Sequence, residues 1–152
     1  MQDKYSSKNI KRTVRASMLL GIGIIAALDE IVFHQILAWH HFYDQDTQPF
    51  ALFSDGILHA FELVAIVSGF FLLLDLQRKR QINYRSAMAG FYLGAGMFQL
   101  FDGIVIHKIL KLHQIRYVEN LWAYDLMWNI FGLVLLITGL FVYRNAKSAS
   151  VI

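Results

Sequence analysis

Four long apolar stretches, separated by short polar breaks, run through the chain at about 14–40, 52–74, 86–112 and 121–143. Each meets the roughly 20 residues that a helix needs to cross a hydrocarbon core of about 30 Å at 1.5 Å per residue. The spacing predicts an all-α membrane protein of four transmembrane helices. Inside these stretches the polar positions recur. Gly21-Ile-Gly-Ile-Ile-Ala-Ala-Leu-Asp29-Glu-Ile-Val-Phe-His34-Gln-Ile-Leu-Ala-Trp-His40 returns as Gly94-Ala-Gly-Met-Phe-Gln-Leu-Phe-Asp102-Gly-Ile-Val-Ile-His107-Lys-Ile-Leu-Lys-Leu-His113, with nine of the twenty positions identical. Asp29/Asp102, His34/His107 and His40/His113 are among the identities.

The similarity continues into the following helix of each half. Asp55-Gly-Ile-Leu-His59-Ala-Phe61-Glu62-Leu63-Val64 aligns with Asp125-Leu-Met-Trp-Asn129-Ile-Phe131-Gly132-Leu133-Val134, and Gly69/Gly139 and Phe71/Phe141 follow. The expected architecture is one domain, 1–152, a four-helix bundle of two tandem two-helix repeats at about 14–76 and 86–146. Because each unit contains a helix pair, both insert the same way, which implies a pseudo-twofold axis along the membrane normal. Sites in such bundles lie between facing helices.

Composition agrees with the pattern: 57% of the residues are hydrophobic, the mean hydropathy is +0.45 and there is a single proline. The absence of cysteine excludes disulfides, thiolate metal sites and cysteine nucleophiles. The net charge of +3 matters less than its distribution. Lys4, Lys8, Lys11, Arg12 and Arg15, then Arg78, Lys79, Arg80 and Arg85, then Arg144 and Lys147 place eleven of the fourteen basic residues on one side of the bundle. The positive-inside rule then predicts a multi-pass membrane protein with both termini cytoplasmic. The first stretch lacks a small-residue cleavage site and reads as an uncleaved helix. Topology accounts for the basic clusters, so the expected partner is the lipid bilayer and not nucleic acid.

An ionisable side chain within an apolar helix is costly and usually marks function. His34, His59 and His107 are expected roughly 9 Å inside the span, and Asp29, Glu62 and Asp102 roughly 13–16 Å inside. They form polar layers in the extracytoplasmic half. The expected metal ligands are His34, His59, Glu62 and His107, with Asp29 and Asp102 as ligands, as carboxylates orienting the histidines, or as general bases. Glu30, His40, His113, Asp55 and Asp125 are peripheral candidates, and the three interfacial histidines His40, His41 and His113 are expected to be solvated. One geometric difficulty attends the repeated aspartate–histidine pair. Five residues of α-helix turn through roughly 500°, so Asp29 and His34 diverge by roughly 140°. Imidazole with carboxylate favours zinc, iron or manganese, with copper possible. Gly21, Gly23, Gly94 and Gly96 suit close helix packing, and Trp39, Tyr43, Trp122 and Tyr124 an interfacial aromatic belt.

The chain resembles the bacterial membrane proteins grouped as domain of unknown function 2243. The residues that carry the resemblance are Leu28-Asp29-Glu30-Ile-Val-Phe-His34-Gln with Trp39-His40-His41, Ser54-Asp55-Gly56 with His59 and Glu62, and Phe101-Asp102-Gly103 with His107-Lys108 and His113-Gln114-Ile115-Arg116. It covers almost the whole chain and implies a four-helix topology without an established activity. Genes for such proteins occur beside those for cytochrome oxidase assembly factors, which implies metal or haem handling with respiratory oxidase assembly proteins as partners.

Three functions compete. The first is a metal-dependent hydrolase or oxidase acting on an apolar substrate. The second is a non-catalytic metal or haem b carrier, with His34 and His107 as a bis-histidine pair. The third is a proton or cation relay, which the charge-free run of residues 63–74 does not extend. A homodimer would offer the polar positions a second interface.

Overall fold

A computed structural model describes residues 7–148. Lys4 lies outside the described residues, and only the backbone of Lys147 is described. The helices are α1 (Ser7–Asp29), α2 (Gln48–Arg78), α3 (Tyr84–Leu100) and α4 (Leu121–Ser148), with no strand among the described residues. α1 runs on as a π-helical segment, Glu30–Ile36, and α3 as another, Phe101–Leu110. Four spans are long and apolar enough to cross a membrane: Ser7–Ile36, Gln48–Arg78, Tyr84–Leu110 and Leu121–Ala146.

Both π segments fall in the aligned stretches, and they alter which side chains meet. Hydrogen bonding from i to i+5 stacks a residue above its fifth neighbour, where an α-helix would turn the two apart. The divergence expected between aspartate and histidine is thereby removed at Asp102, whose Oδ2 lies 3.0 Å from His107 Nε2. Gln35 Nε2 likewise donates to Glu30 Oε1 over 2.8 Å, five residues away.

The first helix starts earlier than the apolar pattern suggests, so Lys8, Lys11, Arg12 and Arg15 lie within it. It also stops before residues 37–40. Ala38 takes a left-handed conformation (φ 47°), and Trp39 N–H bonds back to the Phe33 carbonyl at 2.9 Å. Lys111 does the same after α3 (φ 54°), with Leu112 N–H donating to Ile106 O at 3.1 Å. These helix stops aim the following residues back into the bundle.

The helices are ordered α2–α1–α3–α4, and among the described residues α2 makes no close backbone approach to α3 or α4, nor α1 to α4. The axis of the molecule is therefore the α1–α3 contact. Thr13, Ser17 and Ser86 are buried along it at the end nearer the termini, with the Thr13 and Ser17 hydroxyls donating to carbonyls one turn back. Further along, a Cβ at Gly94 would overlap the Met18 carbonyl, and one at Gly21 the Phe91 carbonyl. This seam of bare backbone lets the helices touch through dispersion alone, the usual device where lipid removes the hydrophobic drive between helices. At the terminal end, Asp75 pairs with Lys79 at 2.8 Å and Arg12 at 3.7 Å.

Gly94→Val should prevent the α1–α3 contact and abolish recovery of folded monomer from detergent. Gly56→Ala, on α2 with no atom within 4 Å of the added methyl, should instead stabilise by about 0.5–1 kcal/mol. Thermal unfolding of both variants in the same detergent checks the pair.

Candidate metal centre

The side chains collected by the two helix stops and the two π segments form one buried group. His34 and His107 come from the π segments, His40 and His113 from the segments that follow them, and all four are at most 4% exposed. Ring centroids lie 4.4 Å apart for His34–His40, 4.5 Å for the stacked His40–His113 pair and 4.7 Å for His107–His113. In the trios His34/His40/His113 and Asp102/His107/His113, ligand atoms lie within 4.8 Å of one another.

Hydrogen bonds fix which nitrogen faces the centre. His40 Nδ1–H donates to the Ile115 carbonyl and His113 Nδ1–H to the Phe42 carbonyl, each at 2.9 Å. The two loops thus hold each other's histidines. His34 Nδ1 lies 2.7 Å from Glu30 Oε2 and 3.1 Å from Asp55 Oδ1, so its proton faces the carboxylates. The Nε2 atoms of His34 and His40 are left buried and without a partner. His107 Nε2 lies 3.0 Å from both His113 Nε2 and Asp102 Oδ2. Imidazole oriented through its second nitrogen by a carbonyl or carboxylate is how metal-binding histidines are usually held.

Burial, reinforced by neighbouring imidazoles, pushes His40 down to about 2. Burial also pushes His113 down to about 4, against the pull of Asp102. Both are neutral at pH 7, the state a ligand requires.

The remaining predicted residues lie around this group. Asp55 is a hub on α2, accepting from His41 Nδ1 at 2.6 Å and from the Phe42 backbone at 2.7 Å as well as facing His34. Its aligned partner Asp125 is instead paired with Lys108 at 2.7 Å. His59 is not in the four-histidine group. Its side chain is 43% exposed, bonded to Glu62 and 3.5 Å from Glu30 Oε1. Glu62 is buried beside it, with Oε2 unpartnered. Asp29 is 4% exposed, and its Oδ1 has no partner.

The solvated state expected for His40 and His113 does not occur, because the left-handed residues before them turn the chain inward. The signal for their importance was their recurrence in the aligned stretches; nothing in a non-glycine Ala38 or Lys111 announces the turn. Trp39 and Tyr124, expected only as an aromatic belt, also flank Arg116, whose guanidinium lies 4.6 Å and 5.4 Å from their ring centres.

Two outcomes are expected. Lys111→Gly should be tolerated, since a left-handed residue with a Cβ costs about 1–2 kcal/mol, whereas Ala38→Val should destabilise; melting temperatures decide. The lowered pKa values of His40 and His113 favour the folded state fully above their unfolded value of 6.5, and this contribution is lost as the pH falls from 6.5 towards 4. In chelator-treated protein, the acid-side fall in melting temperature should be shallower for His40→Asn than for wild type.

A search of the curated proteins and one of the solved structures return no match. A family model, described as predicted membrane protein (DUF2243), matches residues 16–146. With that match extending over both π segments, both loops and every histidine of the buried group, the chain belongs to the DUF2243 family of predicted membrane proteins.

Proposed function

We propose that this protein is a membrane-embedded metalloprotein whose centre is held by His34, His40, His107 and His113, with Asp102 beside it. We place the centre on the extracytoplasmic side, in two repeats related by a pseudo-twofold axis. The observation that carries this reading is the convergence of buried imidazoles, with Nε2 of His34 and His40 unpartnered and the Nδ1 atoms of His34, His40 and His113 already committed.

Charge supports the same reading. Asp29, Glu30, Asp55, Glu62 and Asp102 are all at most 5% exposed. No lysine or arginine pairs with them among the described residues, whereas Asp125 has Lys108. Their ion-pair partners are histidines, which carry charge only when protonated, and a divalent cation would offset the cost of burying carboxylates without a fixed countercharge. Glu30 and Asp55 orient His34. The imidazole-rich donor set suits zinc, iron or copper better than manganese, which prefers oxygen.

A bound ion would supply Lewis acidity, and one-electron chemistry if it is iron or copper. Asp29, buried with an unpartnered oxygen, is the general base we assign, in a hydrolase or oxidase acting on an apolar substrate. A non-catalytic metal carrier serving respiratory oxidase assembly would use the same donors. The haem b alternative has less support, because His40 stands between the pair it needs, 4.4 Å from His34 and 6.1 Å from His107 by ring centroid. A relay has less support too, because the glycine seam separates the hydroxyls of α1 from the carboxylates.

Elemental analysis by inductively coupled plasma mass spectrometry tests the centre. Wild type and His59→Ala should carry near-stoichiometric metal, His40→Ala and His113→Ala at least tenfold less, and Glu30→Gln should bind about 10–100-fold more weakly. Retention by His40→Ala with loss in His59→Ala would restore the set His34, His59, Glu62 and His107. Metal-free wild type after reconstitution would leave the polar group as helix–helix adhesive.

A further inference from the structure

Two lateral grooves open towards the position of the lipid. One, of about 670 Å³, lies between α1 and α4, and the other, of about 470 Å³, between α2 and α3. They use aligned residues: Met127, Trp128 and Phe131 on α4 occupy the places of Ile57, Leu58 and Phe61 on α2. Their inner ends differ. The first also reaches Asp29, but there the Trp128 ring packs against Phe33 at 5.0 Å and His107 at 6.0 Å, and neither a histidine nor Asp102 lines the cavity. In the second, the smaller Leu58 stands at that place, and the groove reaches Asp29, Asp102 and His34.

We propose that the groove between α2 and α3 is the substrate site, and that it takes a neutral amphiphile dissolved in the bilayer whose head is a hydroxyl, an alcohol or a phenol. The inference rests on the metal-centre reading above, whose substrate class it specifies. Depth supplies the first argument. Asp29 lies seven residues before the end of the Ser7–Ile36 span, roughly 10 Å inside it by helical rise. The mouth is framed by half-exposed Ile57, Phe61, Met97 and Phe101. A molecule arriving by this route is already in hydrocarbon.

The head group follows from the inner end. Asp29 is nearly wholly buried, with Oδ1 lacking any partner, so it calls for a hydrogen-bond donor. Asp102 adds a second carboxylate, which penalises phosphate or carboxylate heads. An ammonium would suit the two aspartates but would be repelled by a cation held at His34. A hydroxyl satisfies both sides, donating its proton to Asp29 while its oxygen lone pairs face the imidazole end. A buried oxygen without a partner gains one only from a head that can donate, which selects among heads on a common tail.

The test is equilibrium binding to full-length protein in lipid nanodiscs, with metal content measured on the same samples. The probes are 4-nonylphenol, 1-dodecanol, dodecylamine and dodecyl phosphate. Dodecanol should bind at least tenfold more tightly than dodecyl phosphate and dodecylamine, and nonylphenol should compete with it. Ile57→Trp and Met97→Trp, which narrow the mouth without touching the histidines, should weaken that binding tenfold or more and leave metal content unchanged. Met127→Trp, in the other groove, should leave binding unchanged, and Asp29→Asn should reduce the preference for hydroxyl over phosphate. Equal binding of all four heads, tighter dodecylamine binding, or sensitivity to Met127→Trp but not to Ile57→Trp would each overturn the inference. Metal-loaded protein that binds no probe overturns it while leaving the centre intact. Metal-free protein that binds the alcohols preserves the groove and removes the centre.

Discussion

Ionisable groups buried among apolar helices must find compensation inside the protein, since lipid offers neither hydrogen bonds nor counter-ions. The bundle meets this demand in three ways. Backbone carbonyls of the opposite loop take the Nδ1 protons of His40 and His113. Asp55 gathers His34, His41 and the Phe42 amide around one carboxylate. Lys108 neutralises Asp125. What these contacts leave unsatisfied includes Nε2 of His34 and His40, Nδ1 of His107 and oxygens of Asp29, Glu62 and Asp125, and the functional reading starts from the imidazoles among them.

The two π segments bring residues of one helix together in the buried polar group. Their i to i+5 bonding stacks Asp102 over His107 and Glu30 beside Gln35, pairs that an α-helix would separate. The left-handed residues that end these segments then reverse the chain, so that His40 and His113 enter the group from the loops. Local backbone irregularity of this kind is tolerated within a membrane protein where it is buried and bonded. Here each helix stop is tied by a backbone hydrogen bond six residues back.

The two aligned stretches differ in chemistry. Glu30, His59 and Glu62 in the first have Gly103, Asn129 and Gly132 as aligned residues in the second, and Gln35 has Lys108. Leu58 faces Trp128 in the same comparison, and the ring closes one groove where the leucine leaves the other open to His34. The buried histidines thus come from both halves, and of the two grooves only the one between α2 and α3 is lined by one of them, His34.

Apolar length was enough to determine an all-helical membrane protein with four spans, the motifs carried the family resemblance, and the recurrence of polar residues singled out His34, His107, Asp29 and Asp102 as candidates. Length and recurrence are properties that the chain displays locally. The ligand environment was not legible in the same way. His40 and His113 carried the signal of repetition, but their burial depends on Ala38 and Lys111 adopting a conformation that their identities do not favour. The approach of Asp102 to His107 depends on π-helical bonding, for which the residues 101–110 offer no distinctive signature. His59 and Glu62, one turn apart as metal pairs often are, lie to the side because α2 packs on α1 and not across the bundle. Tertiary structure alone decided these points, because each depends on where the chain turns and which helices touch, and those are settled by the glycine contact between α1 and α3 and by bonds between loops some seventy residues apart.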